Sequence, residues 1–293
     1  MTRLTSTRDE LVNQLAQTRR SGHRIALVPT MGALHDGHAS LMRLAREQVG
    51  PDGRVVVSIF VNPMQFGASE DLDRYPRTLE ADLAVCAQSG VDVAFAPSVE
   101  EMYPHGVPAA DQAPQGVTVE PAPGLADILE GASRPGHFRG VLTVVAKLFG
   151  LVKPDVAVFG QKDYQQLALI TRMADDLCLG IDVIGAETMR EPDGLALSSR
   201  NRYLSPAQHD TALALSRALR AAQSQAAYGV EAARHAAQEV LEATEGIELD
   251  YLAVRAKDLS ELRDRPEKGA EGRILVAAKV GTTRLIDNLP LEF

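Results

Sequence analysis

Two histidines three residues apart, His35 and His38, are the side chains in this sequence best suited to phosphate chemistry. They end the segment Pro-Thr-Met-Gly-Ala-Leu-His-Asp-Gly-His at residues 29–38, between an apolar strand-like run and a helical pattern. A strand that turns through glycines into a helix directs backbone N–H groups and the positive end of the helix dipole at one point, which favours phosphate. At this spacing both imidazoles lie on the same side of the first helical turn. There they can donate hydrogen bonds to phosphoryl oxygens and to the charge that develops during reaction.

Two other interpretations of this pair exist. A His-x-x-His pair can bind a metal, but zinc needs three or four ligands, and the chain has seven histidines and two widely separated cysteines. The histidines can also be two solvated side chains in a loop. The rest of the chain favours the phosphate interpretation, because further polar clusters follow the other predicted strands.

These clusters come directly after the second, fourth and fifth predicted strands. They are residues 62–66, residues 160–166, and residues 189–191 with 197–201. One polar cluster after a strand is usually a solvated loop. Ligands of open α/β sheets bind outside the carboxyl ends of the strands, so we expect all the clusters to converge on one site.

The cations and hydroxyls of these clusters suit phosphate. Lys162 is a compact ammonium near a helix start, suited to a phosphate oxygen. Arg200 can make a bidentate contact with another phosphate, with hydroxyls from Ser198 and Ser199. In the alternative interpretation Lys162 pairs with Asp163 at the surface, and the two serines only cap a helix.

The neutral residues suit a second substrate and the nucleoside. Gln65 and Gln166 both donate and accept hydrogen bonds, which suits a molecule carrying hydroxyls and a carboxylate. Gly160 lets the backbone pass close to a ligand ring or ribose. The chain has neither a P-loop nor a Gly-x-Gly-x-x-Gly fingerprint, so a nucleotide would bind through the histidines and the Ser-Ser-Arg segment instead.

The elements that position these residues predict an α/β fold. Five apolar runs predict strands, at residues 25–28, 55–61, 91–95, 156–159 and 181–184. Helical patterns lie between them, so we expect a Rossmann-like, doubly wound parallel sheet over residues 1–188. A Pro-rich segment at 97–124 interrupts the pattern, with a short strand expected at 117–119.

After Arg190 the pattern changes. Residues 206–243 are Ala-rich and predict helices. Antiparallel strands are expected at 248–254, 273–280 and 282–286. Residues 189–293 are therefore expected to form a smaller C-terminal α+β domain that closes as a lid over the nucleotide.

Composition restricts the partners. The 293 residues carry a net charge of −9 (30 basic against 39 acidic), which argues against nucleic-acid binding. No apolar run is long enough for a membrane span, and the N-terminal residues lack the apolar core of a signal peptide. Cys86 and Cys178 are interpreted as buried thiols of a reducing compartment. We expect a cytoplasmic protein without nucleic-acid or membrane partners.

Further segments carry a nearly chain-long resemblance. Besides residues 29–38 they are 60–66, 74–78, 134–141, 160–166, 193–201 and 281–284. In this order they resemble the signatures of the pantoate–β-alanine ligases (pantothenate synthetases), a family of the HIGH-motif nucleotidyltransferase superfamily. The resemblance implies condensation of pantoate with β-alanine, using ATP and Mg²⁺ and releasing AMP and pyrophosphate. It also implies a homodimer, in which an apolar edge strand would be covered.

The resemblance also implies roles for individual residues. The implied ATP site consists of Met31, Gly32, Ala33, Leu34, His35, Asp36, Gly37, His38, Gly160, Gln161, Lys162, Asp163, Met189, Leu197, Ser198, Ser199 and Arg200. His38 has the position of the proton donor, and the expected catalytic group is completed by His35, Lys162, Ser198, Ser199 and Arg200. Gln65 and Gln166 would hold pantoate, with Gln65 also near β-alanine, and Thr30 and Asn62 are expected to join them. Asp82 matches an acidic position that helps with Mg²⁺.

The expected reaction has a specific intermediate. A carboxylate must be activated before an amine can attack it, and histidines with Lys162 and Arg200 around the β- and γ-phosphates favour attack on the α-phosphorus. The result is pantoyl adenylate, bound but not covalent to protein. The alternatives are another nucleotidyltransferase, such as a cytidylyltransferase, which keeps the nucleotide on its product, and a nucleotide-sensing module without catalysis.

Overall fold

The computed structural model describes residues 2–67, 72, 76–107 and 116–293. Contacts divide the chain into two compact units, Met1–Gln161 with Gln165–Ala186, and Lys162–Tyr164 with Glu187–Phe293. The predicted boundary at residue 188 and the lid role stay predictions. Residues 74 and 75 of one quoted segment, and the middle of the Pro-rich segment, lie outside the described residues.

The first unit contains a six-stranded parallel sheet. Its strands are β1 (Arg3–Thr5), β2 (Ile25–Thr30), β3 (Arg54–Ile59), β4 (Val93–Phe95), β5 (Val156–Gly160) and β6 (Asp182–Ala186). Their order is β1-β4-β3-β2-β5-β6, which confirms the predicted Rossmann-like, doubly wound class. The sheet has one more strand than predicted, because β1 has only three residues and gives no periodic signal.

Helices flank this sheet. They are α1 (Arg8–Arg20), α2 (Asp36–Val49), α3 (Leu79–Gln88), α4 (Val99–Met102), α5 (Glu130–Ser133), α6 (His137–Val152) and α7 (Tyr164–Asp176). The apolar stripe of α2 buries Met42 and Ala45 against β2 and β3, and the helix ends at Gly50 with a φ of 68°.

The short strand expected at 117–119 does not form, so that prediction is wrong. Val117 is 96% exposed, and the backbone N–H of Val119 donates to Thr143 Oγ1 of α6 at 3.0 Å. A side chain therefore satisfies the amide that a neighbouring strand would have paired.

The order of the strands creates a switch point at the centre of the sheet. From β2 the sheet continues through β3 and β4 on one side, and through β5 and β6 on the other. β2 and β5 are direct neighbours, with Ala26 opposite Val156. The segments that follow β2 and β5 therefore leave the same edge, where open α/β sheets bind their ligands.

The second unit is a small α+β fold, as predicted. α8 (Pro206–Gln225) and α9 (Val230–Glu242) pack on an antiparallel sheet of β7 (Ile247–Ala256), β8 (Glu271–Val280) and β9 (Thr283–Glu292), in the order β7-β8-β9. Small side chains such as Ala218, Ala222 and Ala233 are fully buried between the layers, which lets the helices lie close to each other.

The two cysteines differ in exposure. Cys86 is buried, whereas Cys178 is exposed in the turn after α7, so the prediction of two buried thiols is wrong for Cys178. Its φ of 52° belongs to the left-handed turn that ends the helix. Among the described residues, every helix is too short or too polar to cross a membrane.

Candidate active site

The first turn of α2 is capped reciprocally by the two histidines. His35 Nδ1 accepts a hydrogen bond from the Gly37 N–H at 3.1 Å, and His38 Nδ1 accepts one from the His35 N–H at 3.3 Å. The ring centroids are 4.1 Å apart, so both imidazoles lie at the first turn, as the spacing predicts. Because Nδ1 accepts in both rings, the proton of each neutral imidazole is on Nε2. Asp36, exposed at the first helical position, meets the positive end of the dipole.

Close packing explains the glycines around this cap. A Cβ at Gly37 would lie 2.8 Å from His35 Cε1, so the capping ring leaves no room for a side chain. Gly32 has a φ of 84°, and a Cβ there would lie 3.0 Å from Asp82 Oδ2. The next residue, Ala33, is also left-handed, with a φ of 51°, which costs an L-residue roughly 1–2 kcal/mol. The turn therefore needs support from outside.

Asp82 of α3 provides that support. Its Oδ1 accepts from the Leu34 N–H at 2.8 Å and from Thr78 Oγ1 at 3.2 Å, and its Oδ2 accepts from the Ala33 N–H at 3.2 Å. The residue is only 2% exposed. Both carboxylate oxygens therefore hold the turn that leads into the histidine cap, a role that the sequence did not predict.

Thr30 holds the same turn from β2. Its hydroxyl donates to the Ser58 carbonyl of β3 at 2.7 Å and accepts from the Gly32 N–H at 3.3 Å. Thr30 is 9% exposed, and these two hydrogen bonds hold the end of the central strand to β3 and to the following turn. The predicted contact between Thr30 and substrate stays a prediction.

Gln65 lies in a short 3-10 helix after β3, and Asn62 positions it. Asn62 Nδ2 donates to Gln65 Oε1 at 3.2 Å and to the Gly140 carbonyl at 3.1 Å, while its Oδ1 accepts from the Tyr103 hydroxyl at 2.7 Å. Asn62 is 1% exposed, so its contacts fit a supporting role, and direct contact with substrate stays a prediction. Gln65 Nε2 lies 3.4 Å from Met31 Sδ, so the structure brings Gln65 next to the residues that follow β2.

His137, which no sequence pattern marks as functional, holds the backbone of Gln65. His137 Nδ1 lies 2.9 Å from the Gln65 carbonyl, and its Nε2 lies 3.0 Å from Arg134 NH1. A carbonyl only accepts and a guanidinium only donates, so the proton is on Nδ1. A Cβ at Gly140, one turn later, would lie 2.5 Å from the Met64 carbonyl. The 134–141 segment, which carries part of the family resemblance, thus holds the Gln65 segment by close contact.

At the end of β5, Gly160 has open space around it. A Cβ built at Gly160 would meet no heavy atom within 4 Å among the described residues, so protein packing does not demand a glycine here. The predicted close approach of a ligand at Gly160 stays a prediction. Gln161 Nε2 donates to the Gly185 carbonyl at 3.0 Å. Of the two glutamines on α7, Gln165 is 3% exposed and bonded to backbone groups, whereas Gln166 is half-buried.

The remaining predicted site residues belong to the second unit. The Leu197 N–H donates to the Met189 carbonyl at 2.9 Å, and Ser198 Oγ accepts from the Arg200 N–H at 3.2 Å. Ser198 therefore caps the 3-10 helix Ser199–Tyr203, and the predicted contact of Ser198 and Ser199 with phosphate stays a prediction. Lys162 and Ser198 line one small cavity of this unit.

Two cations of this unit, Lys162 and Arg200, are suited to an anionic ligand. Within the described ranges neither Lys162 nor the exposed Arg200 forms an ion pair, and the proposed pairing of Lys162 with exposed Asp163 is not seen. A positive charge that is not neutralised by a protein carboxylate can be neutralised by phosphate.

Among the described residues, no third metal-ligating side chain joins the histidine pair. In the described part of the chain, three potential ligands converge only at Glu191, Asp193 and His209, in the second unit. His35 and His38 therefore do not form part of a metal cluster with other described residues.

Neither cysteine is suited to covalent catalysis at this edge of the sheet. Burial, with the Asp82 charge nearby, raises the pKa of the Cys86 thiol to about 11. Cys178 follows α7 and precedes β6, so it lies at the amino ends of the strands.

Comparison with known proteins identifies the relatives of this chain. The family model described as pantoate-beta-alanine ligase matches residues 3–290. A pantothenate synthetase of Nocardioides sp. is 65% identical over 291 residues, covering 98% of this chain and 85% of the relative. A pantothenate synthetase of Mycobacterium sp. (strain JLS) is 53% identical over 274 residues, covering 94% and 83%.

Solved structures agree with this identification. Pantothenate synthetase from Thermus thermophilus superposes with a TM-score of 0.87 at 46% identity, covering 98% of this chain and 99% of that one. Pantoate-beta-alanine ligase from Francisella tularensis, complexed with beta-gamma ATP and beta-alanine, gives a TM-score of 0.77 at 34% identity, covering 99% and 97%.

Proposed function

Because the chain belongs to the pantoate–β-alanine ligase family, it is a ligase that forms a carbon–nitrogen bond, and we propose that it makes pantothenate through an enzyme-bound pantoyl adenylate. ATP activates the carboxylate of pantoate, and the amine of β-alanine then displaces AMP. The observation that carries this proposal is the reciprocal cap of His35 and His38 at the start of α2. It lies at the switch point of the sheet and at a helix N-terminus, the place where such a fold favours phosphate.

The first step is attack of the pantoate carboxylate on the α-phosphorus of ATP. A bare carboxylate does not acylate an amine, because oxide would have to leave, whereas AMP is a good leaving group. Attack on the α-phosphorus breaks its bond to the bridging oxygen and releases pyrophosphate. His38 and His35 donate to phosphoryl oxygens on which negative charge grows, and Lys162 and Arg200 stabilise the departing pyrophosphate. Ser198 and Ser199 add hydroxyl donors beside Arg200.

The second step joins the amine to the activated carbonyl. Gln65 and Gln166 hold the hydroxyls and carboxylate of pantoate, and Gln65 also lies near β-alanine in this proposal. The fixed amide of Gln65, held by Asn62 from the side and by His137 through its backbone, supports this assignment. The complex of the Francisella relative with beta-gamma ATP and beta-alanine supports the choice of substrates.

Mg²⁺ enters the proposal as the partner of the ATP phosphates. When bound, it neutralises phosphate charge. Both oxygens of Asp82 accept hydrogen bonds and the residue is 2% exposed, so Asp82 is a poor candidate for a main ligand. Magnesium is usually held by substrate phosphates and water with one or two carboxylates. These contacts favour a structural role for Asp82, and the predicted help of Asp82 with Mg²⁺ stays a prediction.

We further propose a homodimer in the cytoplasm. In the described sheet β6 is an edge strand that pairs only with β5. Leu177 and Leu179, which precede it, are 52% and 37% exposed. A partner subunit that covers this edge would bury apolar surface. Sedimentation at micromolar concentration is expected to show a dimer, and a monomer would contradict this part of the proposal.

The proposed reaction is tested by incubating the enzyme with ATP, Mg²⁺, pantoate and β-alanine. AMP, pyrophosphate and a new amide are expected in equal amounts. Without β-alanine, pantoate is expected to support exchange of labelled pyrophosphate into ATP. A product that retains its nucleotide would instead identify a nucleotidyltransferase such as a cytidylyltransferase, and any ATP turnover would exclude a sensing module without catalysis.

A further inference from the structure

We propose that Asp287 and Asn288, a buried polar pair on β9, are positioning residues that hold Lys162 and the segment 197–200 in place for phosphate binding. This inference rests on the proposed function. The two side chains are 3% and 2% exposed. Successive residues of a strand point to opposite faces of a sheet, so adjacent positions on one strand can reach two different elements.

Asn288 holds the segment that carries Lys162. Its Nδ2 donates to the Lys162 carbonyl at 2.9 Å, and its Oδ1 accepts from Arg273 NH1. The Arg273 guanidinium in turn lies 3.9 Å from the centre of the Tyr164 ring. The Tyr164 hydroxyl donates to the Lys257 carbonyl at 2.8 Å. The backbone at residue 162 and the ring at residue 164 are thus both held by other residues of the same unit.

Asp287 holds the turn that leads to Ser198. Its carboxylate accepts a bidentate pair from Arg190, at 2.7 and 2.9 Å. Arg190 NH1 also donates to the Gly194 carbonyl at 3.1 Å, and the Arg190 backbone pairs with Ala196 in an antiparallel bridge. Leu197 follows directly and is paired with the Met189 carbonyl. A bidentate guanidinium–carboxylate pair fixes both distance and orientation, so Asp287 sets where this turn lies.

Asn201 fixes the other end of the same segment. Its Nδ2 donates to Glu191 Oε1 at 2.6 Å and to the Ala196 carbonyl at 3.0 Å. Residues 197–200 are therefore held on both sides, by Arg190 with Asp287 before them and by Asn201 after them.

The two branches meet at one place. Lys162, Ser198 and Asp287 line the same small cavity of the second unit. The strand β9 thus fixes both the backbone of Lys162 and the turn that leads to the hydroxyl segment, the two parts that the proposed function assigns to phosphate. Apolar residues at these strand positions would avoid the free-energy cost of burying polar groups, each of which needs hydrogen-bond partners. The partners found here are the backbone of Lys162 and the turn before Ser198.

The test uses pantoate-dependent exchange of pyrophosphate into ATP, which isolates the first step, in the full-length enzyme well below its unfolding temperature. Asn288→Ala is expected to slow exchange roughly tenfold or more, since small displacements of charge-stabilising groups are costly. The KM for pantoate is expected to stay unchanged. Glu292→Ala, at an exposed polar position of the same strand, is the matched control and is expected to exchange like the wild type.

A double-mutant cycle separates positioning from mere structural support. If Asn288 acts through Lys162, Asn288→Ala causes little further loss in a Lys162→Ala background. A full additional loss there, or normal exchange with only a lower Tm, would overturn the proposal. Asp287→Asn keeps the side-chain shape and tests the other branch in the same way against Arg200→Ala, which covers the case that Asn288→Ala does not fold. A wild type without pantoate-dependent exchange would overturn the proposed function itself, whereas a normal wild type with unaffected variants overturns only the positioning role.

Discussion

Replacing Asp82 by asparagine is expected to damage both stability and turnover, because this carboxylate holds the turn before the histidine cap. The amide puts an NH2 group where one oxygen now accepts from the Ala33 or Leu34 N–H, at 3.2 and 2.8 Å. One buried backbone donor then faces another donor. An unpaired buried donor costs about 1–3 kcal/mol, and the remaining hydrogen bond loses the strength that the charge gave it. The expected loss in the free energy of unfolding is about 3 kcal/mol.

Such a loss lowers Tm by roughly 5–10 °C in a chain of this size. The turn also carries the left-handed Ala33, so with a weaker clamp it relaxes and the first turn of α2 shifts. A shift near 1 Å at a catalytic group costs on the order of a hundredfold in rate. Melting followed by circular dichroism and steady-state AMP formation measure the two effects. Glu80→Gln, at an exposed position of the same helix, is the control and is expected to change neither.

Titration with Mg²⁺ distinguishes the clamp from metal ligation. If Asp82 mainly holds the turn, the lost activity of Asp82→Asn persists at saturating Mg²⁺. Recovery of kcat at high Mg²⁺, with an unchanged Tm, would refute the clamp and support Asp82 as a metal ligand. Wild-type values for both Tm and kcat would refute both roles.

The histidine cap, Lys162 and the two cysteines each give a further prediction. His38→Ala is expected to slow steady-state turnover roughly a hundredfold or more, the usual effect of losing a transition-state donor, and near-normal activity would end its assignment. Lys162→Ala is expected to act similarly on the first step without changing the KM for pantoate, whereas a change in thermal stability alone would favour a structural role. Ellman's reagent at pH 8 is expected to label Cys178 quickly and Cys86 only after unfolding. Folding raises the pKa of the Cys86 thiol from 9.0 to about 11, so its contribution to the free energy of unfolding is complete below pH 9 and is lost between pH 9 and 11. Cys86→Ala is expected to flatten the fall of the free energy of unfolding over this pH range. An unchanged fall in the variant would contradict its assignment to Cys86.

Much of the fold could be predicted from the sequence because the physical signals are local. The run at 55–61 is apolar at nearly every position, as a strand buried on both faces must be, and it forms β3. The histidine spacing and the glycines of residues 32–37 belong to one turn, so the start of α2 could also be placed correctly. β1 was not predicted, because three residues are too few to show a hydrophobic periodicity.

What the sequence could not show are contacts between distant residues. Tyr103 reaches Asn62 across 41 positions, and nothing local marks either residue as a partner of the other. The same holds for Asp82, which a resemblance assigned to metal and which the structure places against backbone N–H groups.

The end of β9 is where the predicted and the observed strand differ most instructively. The predicted strand stops at Ile286, because Asp287 and Asn288 break the apolar pattern, yet β9 continues to Glu292. The polar pair is buried in the middle of the strand. The rule that a buried strand ends where its apolar pattern ends thus fails at a place where polar side chains hold the proposed site. Such failures are expected at functional sites.

The most direct test of the central claim uses pantoate labelled with ¹⁸O in its carboxylate. Attack on the α-phosphorus leaves one carboxylate oxygen bonded to that phosphorus, and β-alanine then displaces AMP with this oxygen. Mass spectrometry is therefore expected to find one labelled oxygen in AMP and none in pyrophosphate. Label in inorganic phosphate, with ADP as the co-product, would show an acyl phosphate and contradict both the adenylate and the roles proposed for the histidines, Lys162 and Arg200.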